Sequence, residues 1–384
     1  MKTVKILFLL FFTMFAAALC GCSKNAESTE NTERIGDIAF SETVPLSYAE
    51  CFSIDRYEGG YSLIKTMNGE KYLLVPKDMD IPNELPTDVI ALSYPIEDVY
   101  LVAANAMGHF VQLGKGESIK FSGKKASDWY IDYARDAIED GKMLYAGKYR
   151  EPDYEMLLEN DCKLSIQSTM IEHSPEVKEK LIELGIPVFI DYSSYESHPL
   201  GRSEWIKLYG EMTGVPELAE SLFNEQLGEF ESIDKASTDK SIAFFYINTA
   251  GQPVTRKPGD YITKMIELAG GKNAFKTIGS EGSSSSITME AEQFYSLAKD
   301  ADIIIYNSTI DGEITTLEQL IAKNEILSDF KAVREGNVWC TKPALYQDSG
   351  KLGTAISELN LIFSDNYETE IPEFLFKLES GEQQ

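Results

Sequence analysis

The sequence predicts an α/β protein built as two lobes with mainly parallel sheets, joined by a single long helix. Three observations carry that reading. Residues 163–191 spell strand, helix and strand in succession. Residues 216–233 keep a helical pattern without interruption. From residue 241 the alternation of strand and helix begins again and runs to residue 363.

Each element has a local cause. Lys2 and Lys5 precede an uncharged apolar run from Ile6 to Leu19, which ends in Leu19-Cys20-Gly21-Cys22. That is a secretory signal over residues 1–21, with the exit used in lipoprotein processing. Cys22 becomes the first mature residue and carries the lipid; Cys20 is the weaker alternative, because Leu19 precedes it where Gly21 precedes Cys22. The run would span about 21 Å as a helix, against roughly 30 Å for a hydrocarbon core, so a membrane-spanning anchor is disfavoured. Residues 22–34 are polar and read as a flexible tether.

Residues 61–66 and 71–76 flank Asn68-Gly69, a turn pair that accepts positive φ, and predict a β-hairpin. The apolar stretch 88–95 predicts a buried strand, and 97–107 and 127–140 carry helical spacing. Residues 163–168 are a strand. A helix follows from Glu176 to Leu184, with Ser174 as cap, Pro175 at its first position and Gly185 after its end. Residues 187–191 return as a parallel strand. A helix over 203–213 stops at Gly214, and Val215-Pro216 starts the next, which runs to about Ile233 and spans roughly 27 Å. Strands are expected at 241–247, 301–306 and 337–340, and helices at 260–269, 316–323 and 350–363. The implied boundaries are a first α/β lobe over 35–201, a helical connection over 202–235 and a second lobe over 236–384.

About 360 residues remain after the signal, too many for one core and suited to two lobes. The net charge of −27 disfavours nucleic acid and anionic membrane surfaces as partners. Cys51, Cys162 and Cys340 are odd in number and widely spaced, so buried free thiols are expected rather than a disulfide framework.

A lipid-tethered pair of α/β lobes suggests a solute-binding protein of an import system. Residues 147–214 carry Pro-x-x-Glu, strand, helix, Gly-Ile-Pro-Val and strand. Residues 260–275 end in Ala-Gly-Gly-Lys-Asn-Ala-Phe, and residues 292–306 and 327–340 continue the pattern. These segments resemble the substrate-binding lipoproteins of iron-complex ABC transporters, the class that also holds siderophore-, haem- and vitamin B12-binding proteins. Residues 35–125 resemble it less. The resemblance implies Rossmann-like lobes with the ligand between them and little hinge motion. It implies a large chelate as ligand, an iron–siderophore first and haem or a corrinoid next. It also implies an ABC permease and its ATPase as partners, no intrinsic cofactor, a monomer, and anchoring on the outer face of the bacterial cytoplasmic membrane. In the vitamin B12-binding relative one surface glutamate per lobe meets permease arginines; Glu155, in Pro152-Asp153-Tyr154-Glu155, and Glu292, in Glu292-Gln293, match those positions. Both sit in a first helical turn, where a negative charge also compensates the helix dipole.

Ligands of such folds meet the loops at the carboxyl ends of strands. Those loops hold Thr169 and Met170, Tyr195, Arg202, Arg256 in a Gly/Pro-rich segment, and Tyr346. Arginine and tyrosine suit a large, flat or anionic ligand. Arg202 could instead pair with Glu196 or Glu204. Tyr57 and Tyr61, around Gly59-Gly60, could line the cleft or pack a hairpin. Trp129, Trp205 and Trp339 fit the core. His109, His173 and His198 are scattered, which disfavours a bare metal-ion site, although His173, His198 or a tyrosine could serve as a single haem ligand. The chain carries no Gly-x-Ser-x-Gly, His-Glu-x-x-His, Walker or dinucleotide motif, so a lipid-anchored enzyme is the weaker alternative.

Overall fold

The computed structural model describes residues 34–234, 238–279, 285–310, 312–367 and 372–380. The signal, Cys22 and the tether up to residue 33 lie outside them.

The described chain opens with strands β1 (Arg34–Ile35), β2 (Ile38–Thr43), β3 (Phe52–Tyr57), β4 (Ser62–Thr66), β5 (Lys71–Pro76) and β6 (Val89–Tyr94), which lie in that order in one sheet. β2 to β5 pair antiparallel. The expected hairpin is β4–β5, in register Ser62↔Leu74. Gly69 has φ +86° at its turn, and its N–H donates to Thr66 O at 2.8 Å. β6 pairs parallel to β5 and forms an edge. It is half-exposed apart from Leu92, so the expectation of a buried strand is corrected. One face of this sheet packs Phe52, Ile54, Ile64 and Tyr72 into the core of the first lobe.

That lobe is a parallel sheet of β7 (Val99–Leu101), β8 (Ile119–Ser122), β9 (Leu144–Tyr145), β12 (Leu164–Ser168) and β13 (Val188–Asp191), in the order β13-β12-β7-β8-β9. β7 is its central strand, where residues 97–107 carry helical spacing; helix α1 starts only at Met107 (Met107–Gln112). Burial on both faces removes the alternation that marks a strand in sequence. Helix α2 (Asp132–Glu139) covers the second half of 127–140. A short ladder of β10 (Gly147–Lys148) and β11 (Glu151–Pro152) leads into α3 (Tyr154–Glu159). The βαβ unit forms as expected: β12 and β13 are parallel, and α4 (Pro175–Glu183) runs between them, followed by Gly185 at φ +81°. Ser174 precedes α4 without a side-chain cap bond.

Helices α5 (Pro199–Thr213) and α6 (Pro216–Ser232) follow, separated at Gly214, which is left-handed. α6 places Ala219 and Phe223 in the first core and Phe230 in the second. α5 also reaches both, through Leu200 and through Trp205 to Met212. The connection is therefore a helix pair rather than one rod, and α5 starts at Pro199, inside the stretch assigned to the first lobe.

The second lobe holds β14 (Ser241–Ile247), β15 (Pro253–Arg256), α7 (Tyr261–Leu268), β16 (Lys272–Asn273), β17 (Ser286–Thr288), α8 (Ala291–Ala298), β18 (Ile303–Tyr306), α9 (Leu317–Lys323), α10 (Lys331–Arg334), β19 (Val338–Thr341), α11 (Leu352–Phe363) and β20 (Leu375–Lys377). Its sheet runs β17-β15-β14-β18-β19-β20, with β16 also on β14. β14, β18 and β19 are parallel; β15, β17 and β20 add antiparallel edges. Core clusters lie on both faces of this sheet, and α11 packs against α5 and α6.

Candidate binding site between the lobes

Parallel strands bring their carboxyl ends, and the loops that follow them, to one edge of each sheet. After β13 the chain passes Ser194 and Tyr195 and enters α5. His198 caps that helix, its Nδ1 accepting from Leu200 N at 3.1 Å. Arg202 lies in the first turn of α5. Its Nη2 donates to Ser194 O at 2.7 Å, and its guanidinium lies 3.7 Å from the ring centre of Tyr261, the first residue of α7. Its buried Nε has no hydrogen-bond partner among the described residues. The carboxylates considered as its partners are engaged elsewhere. Glu196 accepts from Glu50 N, Cys51 N and Trp205 Nε1. Glu204 accepts from the backbone N–H groups of Ser47, Tyr48 and Ala49.

Arg256 arrives from the second lobe. It ends β15 rather than riding in a free loop, and β15 is held against β14. Its Nη1 donates to Ser285 Oγ at 3.1 Å and lies 3.9 Å from Asp260 Oδ2. Its guanidinium is 5.7 Å from the ring centre of Tyr346, in the turn after β19. Asp260 caps α7 by accepting from Ile262 N at 2.9 Å. Burial raises its carboxyl above the usual range, against the pull of Arg256 and Arg202. Burial likewise raises the hydroxyls of Tyr261 and Tyr346, both next to the arginines. The structure thus gathers Arg202, Arg256 and Tyr346 around Asp260 and Tyr261, two residues the sequence reading passed over. Asp260-Tyr261, four and five places after Arg256 at a helix start, was the available signal.

Several loops that follow parallel strands expose apolar side chains. Tyr195 is 56% exposed and Met170 44%, and Tyr130 and Ile310 stand out likewise from the segments after β8 and β18. Thr169 is half-buried at the start of the turn after β12. The arginine–tyrosine cluster can offer charge and hydroxyls to a ligand, and the exposed loop residues apolar surface.

The lobes also meet through Gln347-Asp348-Ser349. Gln347 accepts from Tyr130 N at 2.8 Å and donates to Asp128 O at 2.9 Å. Asp348 accepts from Gln112 Nε2 at 2.8 Å. Ser349 Oγ donates to Asn105 O at 3.1 Å and lies 3.2 Å from His109 Nε2. Burial pushes Asp348 up to about 6 and His109 down to about 3.

Tyr57 and Tyr61 are not part of this site. Both are buried in the second small core of the N-terminal sheet, with Leu63 and Leu73, and Tyr61 donates to Asp80 O at 2.8 Å. Trp129, Trp205 and Trp339 are core residues. Cys51, Cys162 and Cys340 are free and buried, with thiols pushed up by burial to about 12, 11 and 12. His198 is committed to its cap and to Tyr48, whose ring lies tilted against it with centres 4.6 Å apart; His173 is exposed. Glu155 and Glu292 are exposed in the first turns of α3 and α8. Among the described residues no group of three or more His, Cys, Asp or Glu could hold a metal ion, and no helix is long and apolar enough to cross a membrane.

A family model described as "Periplasmic binding protein" matches residues 108–345. Two uncharacterized lipoproteins of Methanocaldococcus jannaschii, MJ0872 and MJ0878, are each 23% identical, over 88% and 87% of this chain and 90% and 86% of their own lengths. Among solved structures, the petrobactin-binding protein YclQ of Bacillus subtilis superposes with a TM-score of 0.59 at 16% identity, covering 81% of this chain and 99% of its own. A periplasmic haem-binding protein of Pseudomonas aeruginosa gives 0.57 at 16% identity over 73% and 98%. The vitamin B12-binding protein BtuF of Vibrio cholerae gives 0.51 at 17% over 71% and 99%. At these identities the likenesses to solved structures show the fold.

Proposed function

The chain belongs to the periplasmic binding protein family, and from that premise we propose that it is the solute-binding component of an ABC importer, exported and tethered by lipid on Cys22 to the outer face of the cytoplasmic membrane. The ligand is a large chelate, an iron–siderophore before haem or a corrinoid, held between the lobes and passed on unchanged. The carrying observation is the convergence of Arg202, from the connecting helix α5, and Arg256, from the second lobe, on Tyr261 and Tyr346. Two guanidiniums over aromatic hydroxyl-bearing surface suit an anionic, flat ligand. The exposed ring of Tyr195 and the thioether of Met170 add apolar contact at the rim. The names of the solved neighbours, which bind petrobactin, haem and vitamin B12, support the ligand class. The lipoprotein relatives support the tether, which raises the effective concentration of the protein at its permease.

A thermal-shift screen with ferric siderophores, haemin and cobalamins tests the reading. A ligand that binds the native state alone adds about 2.7 kcal/mol at a hundredfold excess over Kd. The expected hit is a ferric siderophore, recovered unaltered by mass analysis. A shift with haemin alone would move the assignment to haem; turnover of the ligand would make the protein an enzyme. Cys22→Ala should release the protein from membranes with its ligand affinity unchanged, and continued retention would move the anchor to Cys20 or to an uncleaved signal.

A further inference from the structure

Two guanidiniums and one carboxylate meet at the candidate site, so it holds a counter-charge of its own. Asp260 supplies it, and its two oxygens have different partners. Oδ1 accepts from Ile262 N at 2.9 Å and caps α7. Oδ2 lies 3.9 Å from Arg256 Nη1. Among the described residues no other carboxylate lies within 4.0 Å of Arg202 or Arg256. The charged and titratable groups that face Asp260 come from four elements: Arg256 from β15, Arg202 from α5, Tyr261 from α7 itself and Tyr346 from the turn after β19. The Asp260 side chain is only 6% exposed, so its charge must be balanced by a guanidinium or removed by a proton.

The arginines are held in place but not saturated. Arg202 Nη2 donates to Ser194 O, and its guanidinium lies on the ring of Tyr261, yet its buried Nε has no partner among the described residues. Arg256 Nη1 donates to Ser285 Oγ. Its 3.9 Å distance to Asp260 exceeds the roughly 2.7–2.9 Å of a charge-assisted hydrogen bond, so the carboxylate balances the charge without occupying the donors. We propose that Asp260 is the resident counter-ion of the ligand site: an anionic oxygen group of the ligand takes Arg202 and Arg256 from it, and Asp260 takes up a proton from solvent in exchange. Given the reading that this cluster takes the ligand, Asp260 then sets its charge specificity. A small anion gains little by displacing a carboxylate already in place. A ligand that adds apolar or stacking contact to its charge offsets the exchange, which favours a large anionic chelate over a free anion. The return of Asp260 to the arginines also eases release.

Inorganic sulfate is the probe, because it keeps its charge across the pH range used and is not the transported ligand. On the full-length protein at constant ionic strength, the Nε–H resonances of Arg202 and Arg256 report its binding. Asp260→Asn keeps a capping acceptor for Ile262 N. It should bind sulfate at least about fivefold more tightly than the wild type at neutral pH. The gap should close as pH falls, because the wild-type carboxyl then takes up its proton; burial already holds it above the ordinary carboxylate range. A capping role alone gives no gain in affinity. Asp260→Ser, also a capping residue, serves if Asp260→Asn folds poorly. Equal sulfate affinity in wild type and variant, a gap that stays constant with pH, or no movement of either resonance would overturn the counter-ion. A negative siderophore screen would leave the sulfate result standing, so failure of the ligand class and failure of the counter-ion are distinguishable.

Discussion

Asp348 carries its charge at a cost, because it sits between the lobes with Gln112 on one oxygen and burial pushes its carboxyl from an ordinary 3.8 to about 6. The folded state therefore holds this proton where the unfolded chain has released it. Stability from Asp348 is full below about 3.8, falls as pH rises, and is gone above about 6. Glu358, which accepts from Phe374 N at 3.0 Å, does the same between 4.5 and about 7. Asp348→Asn keeps an acceptor for Gln112 without ionising. Its thermal midpoint should therefore fall less than that of the wild type between pH 4 and 6, and parallel curves for the two proteins would refute the assignment. Gly108 is the other half of this contact, since a Cβ there would meet Asp348 Oδ1 at 2.3 Å. Gly108→Ala should cost about 1–3 kcal/mol by overpacking, read as a lowered urea midpoint at unchanged slope.

Among the elements, the α5–α6 pair sets how the lobes are joined, and Gly210 allows a close approach to Ala219. A Cβ at Gly210 would stand 2.3 Å from the Ala219 side chain. Gly210→Leu should therefore prise the pair apart at a cost of about 1–3 kcal/mol or more; a urea midpoint equal to the wild type would show that the helices part freely. Both helices were legible because their ends are chemical: Gly214 supplies positive φ and Pro216 opens the next helix. Short strands were not. β7 has only three residues, buried on both faces, so no alternation marks it. β6 is mostly apolar yet lies at an edge, because edge position depends on strand order, which local pattern does not encode. β15 was hidden by the Gly and Pro around it. The rule that ligands meet the carboxyl ends of strands pointed to Arg202, Arg256 and Tyr346 as candidates, and the structure gathers these three into one cluster. It missed Asp260 and Tyr261, because a helix start with an Asp cap reads as ordinary capping. Tyr57 and Tyr61 lie apart from that cluster, in a sheet that packs its own small core, which is the packing alternative held open for them from the sequence.

Over the whole molecule the net charge of −27 bears on how the protein, with the tether and importer role proposed for it, would meet a permease. Acidic side chains cover much of the surface, so charge alone cannot pick out a docking face; position must. Glu155 and Glu292 share a setting, each exposed in the first turn of its helix, one on either side of the α5–α6 connection. Asp153 caps the first of these helices, its Oδ1 accepting from Met156 N at 3.0 Å, so Glu155 is not needed as the cap and is available to a partner. Two fixed acidic points on separate lobes can be met by two basic pockets of a permease, which would also check that the lobes hold their correct separation. Replacing Glu155 and Glu292 together by Arg should abolish uptake into vesicles that carry the permease and ATPase, with Kd for the ligand unchanged. Either single reversal should leave partial uptake. Because the interaction is between exposed charges, raising ionic strength should weaken it, the Debye length falling from about 10 Å at 0.1 M to about 3 Å at 1 M. Loss of ligand affinity in the double variant would place these residues at the binding site instead of the docking face, and uptake at the wild-type rate would remove them from the transport mechanism altogether.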